Sequence, residues 1–130
     1  ELRDAALAGD KNKINKLLGQ IDFAQENLFY YLNNISHRIK GLIEIHEIDK
    51  KNKNLEISIE QLKPKIFWKD KPNYTKQLLR WDKNNLQEIF KNINKIEVLM
   101  KKNADIKNDI LLKNLLVNIC EKKIISYAIN

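Results

Sequence analysis

The sequence predicts an all-α protein, a single helical bundle of six or seven helices. Three observations predict it. Apolar residues recur at steps of three and four along nearly all of the 130 residues, the spacing that aligns one face of a helix. Three glycines and two prolines are too few for the tight reversals of a β-sandwich or barrel. Residues that close and open helices also stand where the apolar stripes break.

The elements follow in order. Leu2, Ala5 and Ala6 lead to Gly9 and Asp10. Glycine closes a helix by taking positive φ, and an aspartate accepts from the free amides that open the next. Ile14, Leu17, Leu18 and Ile21 form the second stripe, so residues 1–21 read as a short helical hairpin. Leu28, Leu32, Ile35, Ile39, Leu42 and His46 then make one long seam, with Tyr31 and Ile43 widening it, and predict a helix over 24–48. Gly41 within it is expected to let a neighbouring helix come close. The polar run 49–54 reads as a loop within a connector over 49–57, and Ser58 as the cap of a short helix at 58–62. Lys63-Pro64 stops that helix, because the residue before proline avoids the α region. A second connector covers 63–71. Pro72 restarts helix at a first-turn position, with Tyr74, Leu78 and Trp81 on one side. Asp82 caps the next helix, striped by Leu86, Ile89, Phe90, Ile93, Ile96, Leu99 and Met100. Asn103 reads as a left-handed cap. Asp105 opens the last helix through Ile106, Ile110, Leu112, Leu116, Ile119 and Cys120, and 121–130 as an extension or a tail.

Length and composition narrow the function. One domain of this size buries about two-thirds of its unfolded surface, so its core needs neither disulfide nor metal. The single cysteine, Cys120, excludes an internal disulfide and fits a reducing, cytoplasmic compartment. No run of about 18 uncharged apolar residues occurs, which leaves no membrane-spanning candidate. The chain opens at Glu1 inside a helical pattern, as expected of a piece of a longer protein. Lys and Arg number 24 against 17 Asp and Glu, a net charge of +7. Such a balance suits a basic face that replaces counterions along phosphates. It equally suits a solvated surface of biased composition, since the lysines are dispersed and usually stand near an acid.

Catalytic parts are wanting. Gly9, Gly19 and Gly41 are isolated, so no phosphate-cradling loop is present. His37 and His46 are nine positions apart on one predicted helix, about 180° around it, and cannot share a metal as i and i+4 histidines do. His46 reads as a satisfied histidine at the core edge and His37 as a surface group. Cys120 lies on an apolar stripe and reads as packed rather than nucleophilic. Glu44 and Glu47 read as surface acids. The reading is no catalytic site, no metal and no cofactor.

One constellation is dense. Residues 63–83 hold both tryptophans and seven basic residues against two acids. Trp68, Lys69, Lys71 and Arg80 form the candidate basic and aromatic patch. Aromatics among cations can stack on bases while the charges follow phosphates, or anchor a protein interface. Phe67 and Trp68 can also plug the bundle end while the lysines stay wet. The residues leave all three open.

The string from Leu62 through Pro72 (Leu-Lys-Pro-Lys-Ile-Phe-Trp-Lys-Asp-Lys-Pro), followed by Gln77-Leu78-Leu79-Arg80-Trp81, resembles the C-terminal domain of the delta subunit of the bacterial DNA polymerase III clamp loader. Three further stretches resemble it in order: Asp4-Ala5-Ala6-Leu7-Ala8-Gly9-Asp10, the helix through Arg38-Ile39-Lys40-Gly41-Leu42, and Leu99 through Asp105 continuing from Leu111 to Cys120. Asn103 stands where the family commonly has glycine, and 49–54 is unusually rich in lysine and asparagine. The resemblance implies a bundle of the clamp-loader collar type, a non-catalytic part of the DNA polymerase III holoenzyme that acts in loading the sliding clamp during DNA replication. In that family the collar domain follows two domains shaped like AAA+ modules. It joins the equivalent domains of the delta prime and gamma/tau subunits in a ring, with DNA contact weak or indirect. The alternative is a basic helical nucleic-acid-binding domain.

A ring position calls for two apolar patches rimmed by charge. Phe29, Tyr30, Ile45, Ile48, Val98, Leu111, Leu115, Val117, Ile125 and Tyr127 fall outside the main stripes. Several on the long and final helices are expected to be exposed, with Tyr30, Ile45, Leu115 and Tyr127 as the candidate subunit interface. The isolated chain is expected to be mainly monomeric, because the matching surfaces belong to other chains.

Overall fold

The computed structural model describes residues 1–23, 27–102 and 107–122. Among these residues the chain is all helical: α1 (Leu2–Ala8), α2 (Lys11–Gln20), α3 (Leu28–Asn52), α4 (Leu55–Glu60), a 3₁₀ turn (Trp68–Asp70), α5 (Lys71–Arg80), α6 (Lys83–Lys101) and α7 (Asn108–Cys120). The bundle is built on α3. It packs against α6 on one side and α4 and α5 on another, while α1 and α7 close the remaining face. α6 runs antiparallel to α3: the Lys83 ammonium pairs with Glu47 near one end, and Lys40 lies over the Phe90 ring further along.

The predicted junctions form as their chemistry requires. Gly9 takes φ +76° and its amide reaches back to the carbonyls of Ala5 and Ala6. The Asp10 carboxylate accepts from the Lys13 amide, and that of Asp82 from the Asn85 amide. Each satisfies one of the four amides left open at a helix start.

Several boundaries differ from the sequence reading. α3 continues through 49–52, which polarity assigned to a loop, and ends where Lys53 takes φ 52°. Polar residues on the exposed last turn of a long helix mark solvent, and Lys50 and Lys51 there suit the negative end of its dipole. The next helix starts at Leu55, not 58, because Asn54 caps it by accepting from the Ile57 amide. Ser58 is not a cap: it is fully buried, its hydroxyl 2.9 Å from an Asp49 carboxylate oxygen. α5 begins at Lys71, the last residue of the expected connector, with Pro72 in its first turn. Gly41 is not required by a close neighbour, since a Cβ there would meet Tyr74 and Leu62 at 3.8–3.9 Å, ordinary contact. α7 starts at Asn108. The cap expected at Asn103, the start expected at Asp105 and the tail from 123 onward lie outside the described residues.

The core corrects the interface reading most. Ile45 is fully buried and Leu115 is 3% exposed, so both belong to the core and neither is available to a partner. Leu111 is buried as well, whereas Ile110, placed on the main stripe, is half exposed. The physical reason is that α7 touches α1, α2, α3 and α6. A helix with neighbours on several sides buries more than one seam.

Candidate interaction surface

Two polar knots hold the elements that present the surface. In the first, Arg38 lies buried at the middle of α3. Its guanidinium donates to Asp4 Oδ1 at 3.0 Å, Gln77 Oε1 at 2.9 Å and Asp70 Oδ2 at 2.5 Å. It also stacks 3.9 Å from the Tyr74 ring centre. Gln77 Nε2 donates to Asp4 Oδ1 at 2.8 Å, and Arg3 closes the other side of the same carboxylate. Burial pushes the Asp4 carboxyl up, but hydrogen bonds from Arg3 and Gln77 and the charge of Arg38 outweigh it and hold its pKa below the ordinary value. One cation thus fixes α1, α3, the 3₁₀ turn and α5 relative to one another.

The second knot lies at the far end of α5. Arg80 donates to the carbonyls of Leu7 at 2.8 Å and Cys120 at 2.5 Å, with Ala6 O at 3.2 Å. These are the last carbonyls of α1 and α7, where orphan acceptors and the helix dipoles both favour a cation. Burial lowers the pKa of Arg80. Trp81 is 1% exposed and its indole N–H donates to Leu7 O at 2.8 Å. The Trp81 carbonyl in turn accepts from His46 Nε2 at 2.7 Å, which puts a proton on that nitrogen and satisfies the core-edge histidine. Lys122 donates to the Arg80 carbonyl. Cys120 is buried, and burial raises its thiol pKa, the wrong direction for a nucleophile.

The expected basic and aromatic patch therefore separates. Arg80 is spent on helix ends. Lys71 is paired with the Glu60 carboxylate, and that contact holds Glu60 below its ordinary pKa. Trp68 stays outside at 67% exposure, with Lys69 5.4 Å above its ring. Phe67 is 63% exposed. The plug reading of Phe67 and Trp68 is overturned, and Trp81 fills that role. The difference lies in the backbone: Trp68 opens a 3₁₀ turn that leads into α5 from outside, while Trp81 follows the helix whose opposite face is core.

Of the candidate interface residues, Tyr30 is 63% exposed and Tyr127 lies outside the described residues. Two exposed apolar residues went unnoticed in the sequence reading, Ile57 and Leu79. Leu79 was legible, since it falls about 140° around α5 from Tyr74 and about 100° from Leu78. Ile57, Ile59, Trp68, Pro72 and Thr75, with Glu56, Glu60 and Lys71, line an open cleft of about 520 Å³ between α4 and α5. Among the described residues no group of three or more His, Cys, Asp or Glu is placed to hold a metal, and no helix is long and apolar enough to cross a membrane.

Comparison with protein-family models, curated proteins and solved structures found no match to this chain.

Proposed function

We propose that this chain is a non-catalytic oligomerisation module of the clamp-loader collar type, the C-terminal domain of a delta subunit, joining delta prime and gamma/tau in the ring that loads the sliding clamp. One observation carries the reading. The separate stretches that resemble the family meet in space: Asp4, Arg38, Asp70 and Gln77 in one knot, Gly9, Arg80 and Trp81 in the other. Residues that recur as motifs without chemistry make sense when they fix the relative position of helices, as a ring subunit requires. The test is reconstitution. The chain mixed with purified delta prime and gamma/tau subunits should elute as a complex of defined mass, and failure to form one rejects the assignment.

A second reading has its own support. The exposed Trp68 under Lys69, with Lys63 and Lys65 exposed beside them, is a stacking platform among cations. Two of the four patch residues, Lys71 and Arg80, are engaged internally, which favours assembly over nucleic acid. Binding to a single-stranded oligonucleotide that survives physiological salt would reverse that preference.

A further inference from the structure

Helices α1 and α2, α3 and α4, and α5 and α6 are each joined by two residues, whereas ten, 61–70, separate α4 from α5. The ends of that long connection are tied together, since the Lys71 ammonium at the start of α5 pairs with the Glu60 carboxylate at the end of α4. A surface loop with its ends held close is an Ω-loop, and such loops are ordinarily packed by their own side chains. This one is not. An open groove of about 420 Å³ lies between it and α3, with His37, Gly41 and Glu44 on the helix side and Leu62, Ile66 and Phe67 on the loop side.

Little else fastens the loop. Among the described residues, Lys63, Pro64, Lys65 and Ile66 make no hydrogen bond. Of residues 62–69 only Leu62 and Ile66 turn toward the core, and the rest are exposed. The far end is held by Asp70, the last residue of the 3₁₀ turn. Its Oδ2 accepts from Arg38 Nη2 at 2.5 Å and its Oδ1 from Asn73 Nδ2 at 3.2 Å. The partners of Arg38 are divided. Asp4 and Gln77 take Nη1, and the Tyr74 ring stacks on the guanidinium. Departure of Asp70 therefore leaves that buried cation a carboxylate, a neutral acceptor and a ring, so the loop can let go without stranding a bare charge in the core.

We infer that residues 63–69 are a strap, hinged at Leu62, that swings off α3 as a unit while the helices stay folded, with the Asp70–Arg38 pair as its latch. Segments with few buried contacts and few backbone bonds open at free energies well below that of global unfolding. Phe67 and Trp68 ride on the strap, so the latch sets where these two exposed aromatics stand. A partner that grips them can move them without melting the bundle. The inference goes beyond the collar reading and does not depend on it, because it concerns this chain alone.

Limited trypsin digestion of the 130-residue chain, scored as the first cut in each molecule by mass spectrometry, reads the opening directly. A protease needs backbone lifted free of the surface, so cutting after Lys65 or Lys69 tracks the open population. In the wild type that cut should precede cutting within any helix. Its rate should stay nearly flat at low urea, because a local opening exposes little surface. Asp70→Asn should speed it by at least about tenfold, the loss expected for a hydrogen bond to a charged group. Ile66→Ala should speed it as well. Glu47→Gln, which removes the Lys83 pair between α3 and α6, should not. Should Asp70→Asn fail to fold, Ile66→Ala and the urea slope decide alone. A cut that rises with urea as steeply as global unfolding, a strap variant cut no faster than the wild type, or an equal acceleration by Glu47→Gln would each overturn the inference.

Discussion

Arg38 donates to Asp4 across 3.0 Å from the middle of α3 to the first helix, a pair separated by 34 positions in the chain. The same guanidinium holds Asp70, the residue before α5, and Gln77 within it. Arg38→Met should destabilise the domain by about 3 kcal/mol, in the range for removing one partner of a buried pair. The change is read from the midpoint of urea unfolding. A midpoint equal to the wild type would mean the knot contributes nothing net.

The low pKa of Asp4 makes a statement about acid. A carboxyl whose folded pKa lies below its unfolded value of about 3.9 adds stability that is fully present above that value. That stability is lost as pH falls through the folded pKa. Hence the wild type should lose stability below about pH 4 more steeply than Asp4→Asn, which should be less stable at neutral pH. Urea midpoints measured from pH 7 to pH 2 check the slope, and parallel curves for the two proteins would contradict it.

Gly9→Ala and Gly41→Ala should act in opposite directions. At Gly9 the φ of +76° and an Arg80 side chain 2.7 Å from the added Cβ both oppose substitution, with a cost of about 1–3 kcal/mol. At Gly41 the new methyl has room inside a helix, and stability should rise by about 0.5–1 kcal/mol. Thermal melts of the two variants decide, and a loss at Gly41 would show that the helix pair is packed more closely there.

The two tryptophans should differ sharply. Trp81→Ala removes a fully buried indole and the bond to Leu7, and should cost about 3–5 kcal/mol. Trp68→Ala should change stability by less than about 0.5 kcal/mol. Chemical denaturation distinguishes them. Comparable losses would place Trp68 in the core after all.

Asp placed at Ile45 or Leu115 should abolish folding, because an unpaired charge would enter the core. Tyr30→Asp should leave the fold intact. Circular dichroism of the three variants separates core from surface, and a folded Leu115→Asp protein would return that residue to the interface.

The sequence by itself determined that the chain is helical and placed the joints at Gly9-Asp10 and at Asp82. Period-3.6 stripes and side chains such as Asp10 and Asp82 act through neighbours within one turn, so local chemistry suffices to place them. It also placed His46 on an apolar seam, while the Trp81 carbonyl that satisfies it, 35 positions away, was brought there by the fold. Tertiary structure decided which apolar residues are buried and which stay exposed. One seam per helix left Ile45 and Leu115 over as surplus, but α3 and α7 each touch several helices and absorb them. It decided the fate of the charges too. Lys71 and Arg80 read as patch residues from composition, yet Glu60 lies eleven positions away and the Leu7 carbonyl seventy-three, separations that no local pattern encodes. Only the packed helices bring those partners together, and the same packing leaves Trp68 and Leu79 uncovered.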